Sequence, residues 1–343
     1  MKLFKSLLVA PATLGLLAPL SAVANEITVN DFNPVEEISN ISPLLAGGEG
    51  LVDSHDGSFS ETTAASFSVD AVLGAIDGDA TTEATTFEYQ FNIGLSTSFT
   101  GEDSLDIAID SGSDAAATTD NPMAFDTGAS LSVDGVAYSF PLGGASMTVG
   151  NDTDISATFT GACSYSAFTD YMGDCGTGNS IGVGGSGVTA TVGYAFDSGF
   201  SLAGGISGEA TTVSGSSTVS NGLFTKEGSD IYGIEAAYTA DSYGVAVAYV
   251  SNDGGTGAET TYWGVNATYS FDMFDVSVGY ETEEKTVTET GYFVGLTFPE
   301  VGPGSVSIGA GTSDNFSDTA DELMVYEASY SYPVNDSMTI TPG

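Results

Sequence analysis

Of the 343 residues, 46 are Asp or Glu, four are Lys and one is His, giving a formal net charge of −42. Yet 41% are hydrophobic, with 16 Tyr and 19 Phe, which excludes an acidic disordered chain, a class poor in aromatics. The four bases (Lys2, Lys5, Lys226 and Lys285) cannot build a phosphate-neutralising face, so nucleic-acid binding is excluded.

Residues 1–24 read as a secretory signal. Lys2 and Lys5 form the positive end, Leu7 to Leu20 the apolar stretch and Ala22-Val23-Ala24 a small-residue cleavage site. No later stretch approaches the ~20 apolar residues of a helical span. Residues 25–64, with Pro34, Pro43 and Gly47-Gly48, show no sustained period and are expected to be an extended, periplasmic segment.

From Ala65 the pattern has period two. Phe87, Tyr89, Phe91, Ile93 and Leu95 alternate with Glu88, Gln90, Asn92, Gly94 and Ser96, as in a strand with one apolar and one polar face. Such runs are predicted at 65–76, 86–99, 104–110, 129–140, 145–151, 187–196, 200–208, 229–239, 243–251, 260–270, 274–282, 287–298, 304–312, 322–332 and 337–343. Short connections alternate with generally longer ones, as in an up-and-down antiparallel sheet. The polar phase carries Asp70, Glu88, Asp106, Asp110, Glu235, Asp275, Glu281 and Glu327, with Gln90, Asn92 and Asn266. Aromatics such as Phe140, Tyr194, Tyr238, Tyr243, Tyr269 and Phe298 gather near strand ends. These features predict an all-β transmembrane barrel over 65–343, with the apolar phase toward outer-membrane lipid and the polar phase lining a lumen.

Cys163 and Cys175 lie in a Gly-, Ser- and Asp-rich segment of an exported chain and are expected to form a disulfide. Two Cys and the remote His55 make a poor metal set, so neither a metal site nor a cofactor is expected. Acidic loops such as Asp77-Gly78-Asp79 lack ordered ligand spacing and would hold Ca²⁺ at most weakly. Gly182 to Gly187 fits a dinucleotide fingerprint in letters only, because a strand pattern follows where a helix is required. With one His and no Arg, acid–base and oxyanion devices are nearly absent and no enzyme is expected.

Phe91-Asn92-Ile93-Gly94-Leu95-Ser96-Thr97-Ser98-Phe99-Thr100-Gly101-Glu102-Asp103, Tyr138-Ser139-Phe140-Pro141 and Ser337-Met338-Thr339-Ile340-Thr341-Pro342-Gly343 resemble segments of cyanobacterial outer-membrane porins, the carbohydrate-selective and iron-uptake relatives. The resemblance implies a homotrimer passing small solutes by diffusion. Two departures stand out: 25–64 is too short for the surface-layer-homology domain and coiled coil of such porins, and family members continue past the Thr-Pro-Gly segment into a final strand. Fifteen strands of an expected sixteen, the last a fragment, make a truncated chain the expectation. In related porins the third long loop narrows the pore. Here that is 152–186, whose Asp170, Asp174, Tyr165, Phe168 and Tyr171 are expected near the pore axis. With no strand-borne base against the acids, the lumen is expected to favour cations. The rival reading is a secreted acidic β-protein, an adhesin binding Ca²⁺ or polysaccharide.

Overall fold

The computed structural model describes residues 63–76, 84–113, 125, 127–183, 187–208, 211–212, 218–219, 222–224, 228–255, 258–312 and 324–343. The predicted signal and residues 25–62 of the N-terminal segment lie outside these, as do Lys226 and His55. One 15-stranded antiparallel sheet is built from β1 (Ala64–Ile76), β2 (Ala84–Thr97), β3 (Ser104–Gly112), β4 (Ser132–Leu142), β5 (Ala145–Asn151), β6 (Val188–Ala195), β7 (Phe200–Gly208), β10 (Asp230–Thr239), β11 (Tyr243–Asn252), β12 (Thr260–Ser270), β13 (Asp275–Glu284), β14 (Thr288–Val301), β15 (Gly304–Thr312), β16 (Met324–Asn335) and β17 (Met338–Ile340). Each strand pairs with its neighbour in the sheet, so the topology is the expected up-and-down meander.

Every predicted run contains a strand, with ends shifted by a few residues. Two differences are larger. The last strand spans three residues rather than seven. A two-stranded ribbon, β8 (Thr211–Thr212) and β9 (Thr218–Val219), sits in the connection after β7. Two-residue strands are too short to display a period. Among the described residues β1 pairs only with β2, and β17 only with β16.

Register divides the side chains into two faces. Phe91, Ile107 and Val247 belong to the outward set; Gln90, Asp106 and Ala248 belong to the inward set. Outward apolar side chains lie bare: Leu73 is 73% exposed, Phe67 68%, Ile234 62% and Trp263 50%. A soluble sheet would bury that phase; a membrane barrel turns it to lipid. Ring contacts form a belt beside the short turns, through Tyr138–Phe140, Tyr194–Phe196, Tyr238–Tyr243 and Phe271–Phe274. Six residues further along the strands, about 20 Å, the Tyr249 ring lies tilted against Trp263. Val245, Val247 and Val265 fill the band between, outward and partly exposed.

The short turns have their own chemistry. Asp103 accepts from the hydroxyls of Tyr138 (2.6 Å) and Ser98 (2.8 Å) and from the backbone N–H groups of Phe99 (2.9 Å) and Thr100 (2.8 Å). The Tyr138 bond contributes most to holding this carboxyl well below the usual carboxylate range, against burial, which acts the other way.

Candidate functional site

The connection between β5 and β6 does not stand off the sheet. It lies flat on the inward face, going out across the wall from β6 to β16 and coming back. On the outward limb, Ile155 opens a short 3-10 turn (Ile155–Thr158) and packs over Gly205 and Gly233. Thr160 and Gly161 donate their N–H groups to Glu235, at 2.5 and 3.1 Å. Ala162 N–H reaches Asn266 Oδ1 at 2.7 Å, and Ser164 N–H reaches Ser277 Oγ at 3.0 Å. At the far end Glu327 accepts from the Tyr165 hydroxyl (2.8 Å), Phe168 N–H (2.9 Å), Thr169 N–H (3.0 Å) and the Thr169 hydroxyl (2.8 Å).

The return limb passes through a 3-10 segment (Asp170–Gly176) broken at Gly173, where Asp174 and Cys175 adopt positive φ. Asn179 Nδ2 (3.0 Å), Ser180 N–H (2.8 Å) and Ser180 Oγ (2.6 Å) all donate to Glu281. Val183 then joins Ile155, Ile231 and Val250 in a small apolar cluster. Cys163 on the outward limb is disulfide-bonded to Cys175 on the return limb, with Cα atoms 5.8 Å apart.

An irregular segment has backbone N–H groups that no ladder satisfies, and a buried one left unpaired is costly. The carboxylates of β10, β13 and β16 supply the acceptors. Close approach requires a wall without side chains at the contact points. A Cβ on Gly279 would lie 1.8 Å from the Cys175 carbonyl oxygen, and one on Gly264 1.7 Å from Ser180 Oγ. Tyr165 likewise covers Gly295 and Gly309 while its ring meets Phe293 edge-on at 4.9 Å. Burial first, then the adjacent Glu327, raises the Tyr165 hydroxyl above its ordinary value, so it stays a donor.

The loop is thus pressed to the inward face of the sheet between β6 and β16. A family model described as Gram-negative porin matches residues 65–341. The chain belongs to the Gram-negative porins. No sequence among curated proteins matches it. It is similar in structure to Salmonella typhi OmpF in complex with daunomycin (14% identity, TM-score 0.53, covering 81% of this chain and 88% of that one). It is also similar to an anion-selective porin from Comamonas acidovorans (13%, 0.52, 80% and 85%). A mutant of the Rh. blastica porin is a third (16%, 0.50, 81% and 92%). At these identities the likeness concerns the fold. The porin is therefore an outer-membrane protein with an antiparallel barrel fold, and its family and fold are those of channels.

Register puts all eleven expected pore-lining residues of this porin on the inward face, but they divide into two groups. Asp70, Glu88, Asn92, Asp106 and Asp110 stand on β1–β3; Gln90 beside them donates to Asp70 Oδ2 at 3.1 Å but is only 2% exposed, which corrects its assignment to the water-filled wall. Asp275 sits beside the Phe271–Phe274 turn, half-buried. By contrast Glu235 (3% exposed), Asn266 (1%) and Glu281 (0%) lie beneath the loop, and Glu327 is engaged by four of its donors. The sequence reading assigned these four to the water-filled wall; the structure corrects this, making them anchors of the loop.

The expected constriction set changes as well. Tyr165 faces the wall rather than the pore axis, because its hydroxyl and ring both find partners there. Phe168 and Asp174 are half-buried, while the side chains of Asp170 and Tyr171 lie outside the described residues. Among the described residues the exposed loop positions are Ala157, Thr160 and Ser166, small and uncharged. Sequence reasoning did not single out Ser180, Asn179, Ser277 or the wall glycines. Their signal was present as a run of Gly in the inward phase of β12–β15: Gly264, Gly279, Gly291, Gly295, Gly309 and Gly311.

Proposed function

We propose that this porin passes small solutes by passive diffusion, prefers cations, and performs no catalysis. The observation that carries the preference is an uncompensated acidic wall. Supporting this, Asp70, Glu88, Asp106 and Asp110 share the inward face of β1–β3. Among the described residues Lys285 is the one basic side chain, and it pairs with Glu283. Carboxylates lining a narrow aqueous path lower the barrier for cations and raise it for anions. The net charge of −42 adds a field of the same sign at the mouths. Fold does not dictate this property, so the likeness to an anion-selective porin does not oppose it.

The assembly proposed is a homotrimer. The outward face of β1–β3 favours it as the contact surface, with Phe67 stacked near Phe91 (ring centroids 6.4 Å apart) beside Ile93, Leu95, Ile107 and Ile109. The resemblance of segments 91–103 and 337–343 to cyanobacterial porins extends the proposal to small carbohydrates among the solutes. The deciding experiment is the reversal potential of the channel in a planar bilayer under a tenfold KCl gradient. A cation-preferring potential is expected; an anion-preferring one overturns the proposal.

A further inference from the structure

Buried polar atoms without a partner are few in a folded chain, and each calls for an explanation. Two of them occupy neighbouring positions on the inward face of β2 and β3. Gln90 is 2% exposed, and its carboxamide is oriented by the bond from Nε2 to Asp70 Oδ2, at 3.1 Å. The other arm of that planar group, Oε1, is buried and has no partner in the chain. Across the ladder from Gln90 stands Gly112. Thr127, from the connection after β3, lies over it: a Cβ on Gly112 would be 1.9 Å from Thr127 Oγ1. The Gly112 N–H holds this piece of chain down by donating to the Gly128 carbonyl at 2.8 Å. Thr127 is 9% exposed, and its Oγ1 is likewise buried and unpartnered.

The surrounding chemistry selects the occupant. Asp70 flanks Gln90 on β1, and Asp110 flanks it one row along on β3, where its Oδ1 accepts from the Ser132 hydroxyl at 3.2 Å. Asn92, paired with Asp110, has an Nδ2 without a partner, and a half-turn of its carboxamide presents an oxygen instead. Among the described residues no base stands on β1–β3; Lys285 pairs with Glu283. An anion would meet two carboxylates here. A water could donate to both orphan oxygens but would leave both charges uncompensated. A divalent cation satisfies the oxygens and the charges together. An irregular set of carboxylate, carboxamide and hydroxyl oxygens suits Ca²⁺, which accepts 6–8 oxygens at about 2.3–2.6 Å, better than Mg²⁺, which demands an octahedron.

We propose that this row binds one Ca²⁺ between Gln90 Oε1 and Thr127 Oγ1, with Asp70 and Asp110 supplying the compensating charge. The proposal rests on the reading of the inward acids as a cation path and adds a regulation to it. A bound divalent ion cancels part of the charge that draws K⁺, so the K⁺ current falls as the site fills. The site is built on strands and closed by one threonine, so it differs from acidic loops such as 77–79 and uses neither cysteine nor histidine.

The test uses the full chain, purified in mild detergent and stripped with a chelator. In a planar bilayer, raising Ca²⁺ from micromolar to millimolar should lower the single-channel K⁺ current along a one-site curve. Mg²⁺ should need a several-fold higher concentration for the same effect. Gln90→Met removes Oε1 and Thr127→Val removes Oγ1, each shifting the Ca²⁺ curve several-fold to higher concentration. Neither substitution alters the net charge, so altered screening would not account for the shift. Thr127 lies outside the strands, so its variant decides the matter if Gln90→Met fails to fold. Equilibrium dialysis with radioactive Ca²⁺ in physiological salt should show one retained ion per wild-type chain and several-fold weaker retention in Thr127→Val. A wild type without Ca²⁺ response or retained ion overturns the proposal and leaves water between the two oxygens. A response and an ion count that Thr127→Val keeps also overturn it, assigning the effect to diffuse screening by other acids. An anion-preferring reversal potential in the chelated wild type is a failure of the cation reading instead, and the dialysis still decides the site.

Discussion

Glu281 of β13 accepts both the backbone N–H and the hydroxyl of Ser180, at 2.8 and 2.6 Å, tying the return limb of the inner loop to a strand 101 residues further on. The carboxylate is fully buried beneath the loop and also takes Asn179 Nδ2. Removing the acceptor with Glu281→Ala takes a buried, charged acceptor from three donors. Ser180 keeps its bonds to the Thr177 carbonyl at 3.2 Å, but the loss of about 1–3 kcal/mol should loosen the return limb. Single-channel recording should then show larger conductance and more open-channel noise, with Glu281→Gln intermediate because an amide oxygen still accepts. Unaltered traces in the alanine variant would show that the loop needs no anchor here.

The disulfide ties the two limbs together. By chain-entropy reckoning, closing a loop of the separation between Cys163 and Cys175, 12 residues, contributes roughly 2–3 kcal/mol. Reduction, or the Cys163→Ser and Cys175→Ser pair, is expected to broaden the conductance distribution while leaving the barrel folded in a heat-modifiability assay. The wall bonds to Glu235 and Glu327 remain, so the loop loosens without leaving the lumen.

Glycines on the two faces should behave differently. Gly279→Ala places a methyl group where the Cys175 carbonyl stands, 1.8 Å away, so the loop must move and the conductance should shift. Gly204→Ala faces lipid, where the nearest contacts of a Cβ are 3.3 and 3.4 Å, and should leave the conductance as it is. Similar conductance changes from both would mean that wall smoothness does not set the loop's position.

The acids of β1–β3 should set ion preference. Replacing Asp70, Asp106 and Asp110 together by Asn is expected to bring the reversal potential toward that of a neutral pore. In the wild type the preference should also weaken with salt, since the screening length falls from about 10 Å at 0.1 M to 3 Å at 1 M. A triple variant with wild-type selectivity would relocate the filter to another part of the chain.

The turn carboxylate Asp103 gives a pH dependence with a definite sign. Its folded-state pKa is depressed below 3.8, so its contribution is present above the unfolded value and is lost as pH falls through the lower folded one. Asp103→Asn should lower the thermal midpoint of unfolding at pH 7, and the difference from wild type should shrink in strong acid. A midpoint difference that stays constant down to pH 2 would contradict this. Tyr138→Phe, removing the largest cause, should reproduce part of the effect.

The strands were legible because a membrane barrel writes its faces into alternate residues: Phe87, Tyr89, Phe91 and Ile93 against Glu88, Gln90 and Asn92 needed no tertiary information. Period two assigns Glu281 and Asp106 to the same inward face, however, and says nothing of what stands in front of each. That depends on where a 35-residue connection lies down, which is a question of acceptors and room. The room was visible in Gly264, Gly279, Gly295 and Gly309, but small residues in a polar phase read equally well as a wide aqueous bore. Tyr165 misled for a related reason. An aromatic in a pore loop suggests a wall of the eyelet, whereas its hydroxyl is satisfied by Glu327, 162 residues away.

That distance also sets an order of events during assembly. The loop follows β5, but its acceptors arrive with β10, β12, β13 and finally β16, at Glu235, Asn266, Glu281 and Glu327. Contacts so far apart in sequence form late, after the intervening chain has been ordered. Docking of this loop on the wall is therefore a finishing step. The last long strand in the sequence, β16, is also the one whose Glu327 holds the far end of the loop.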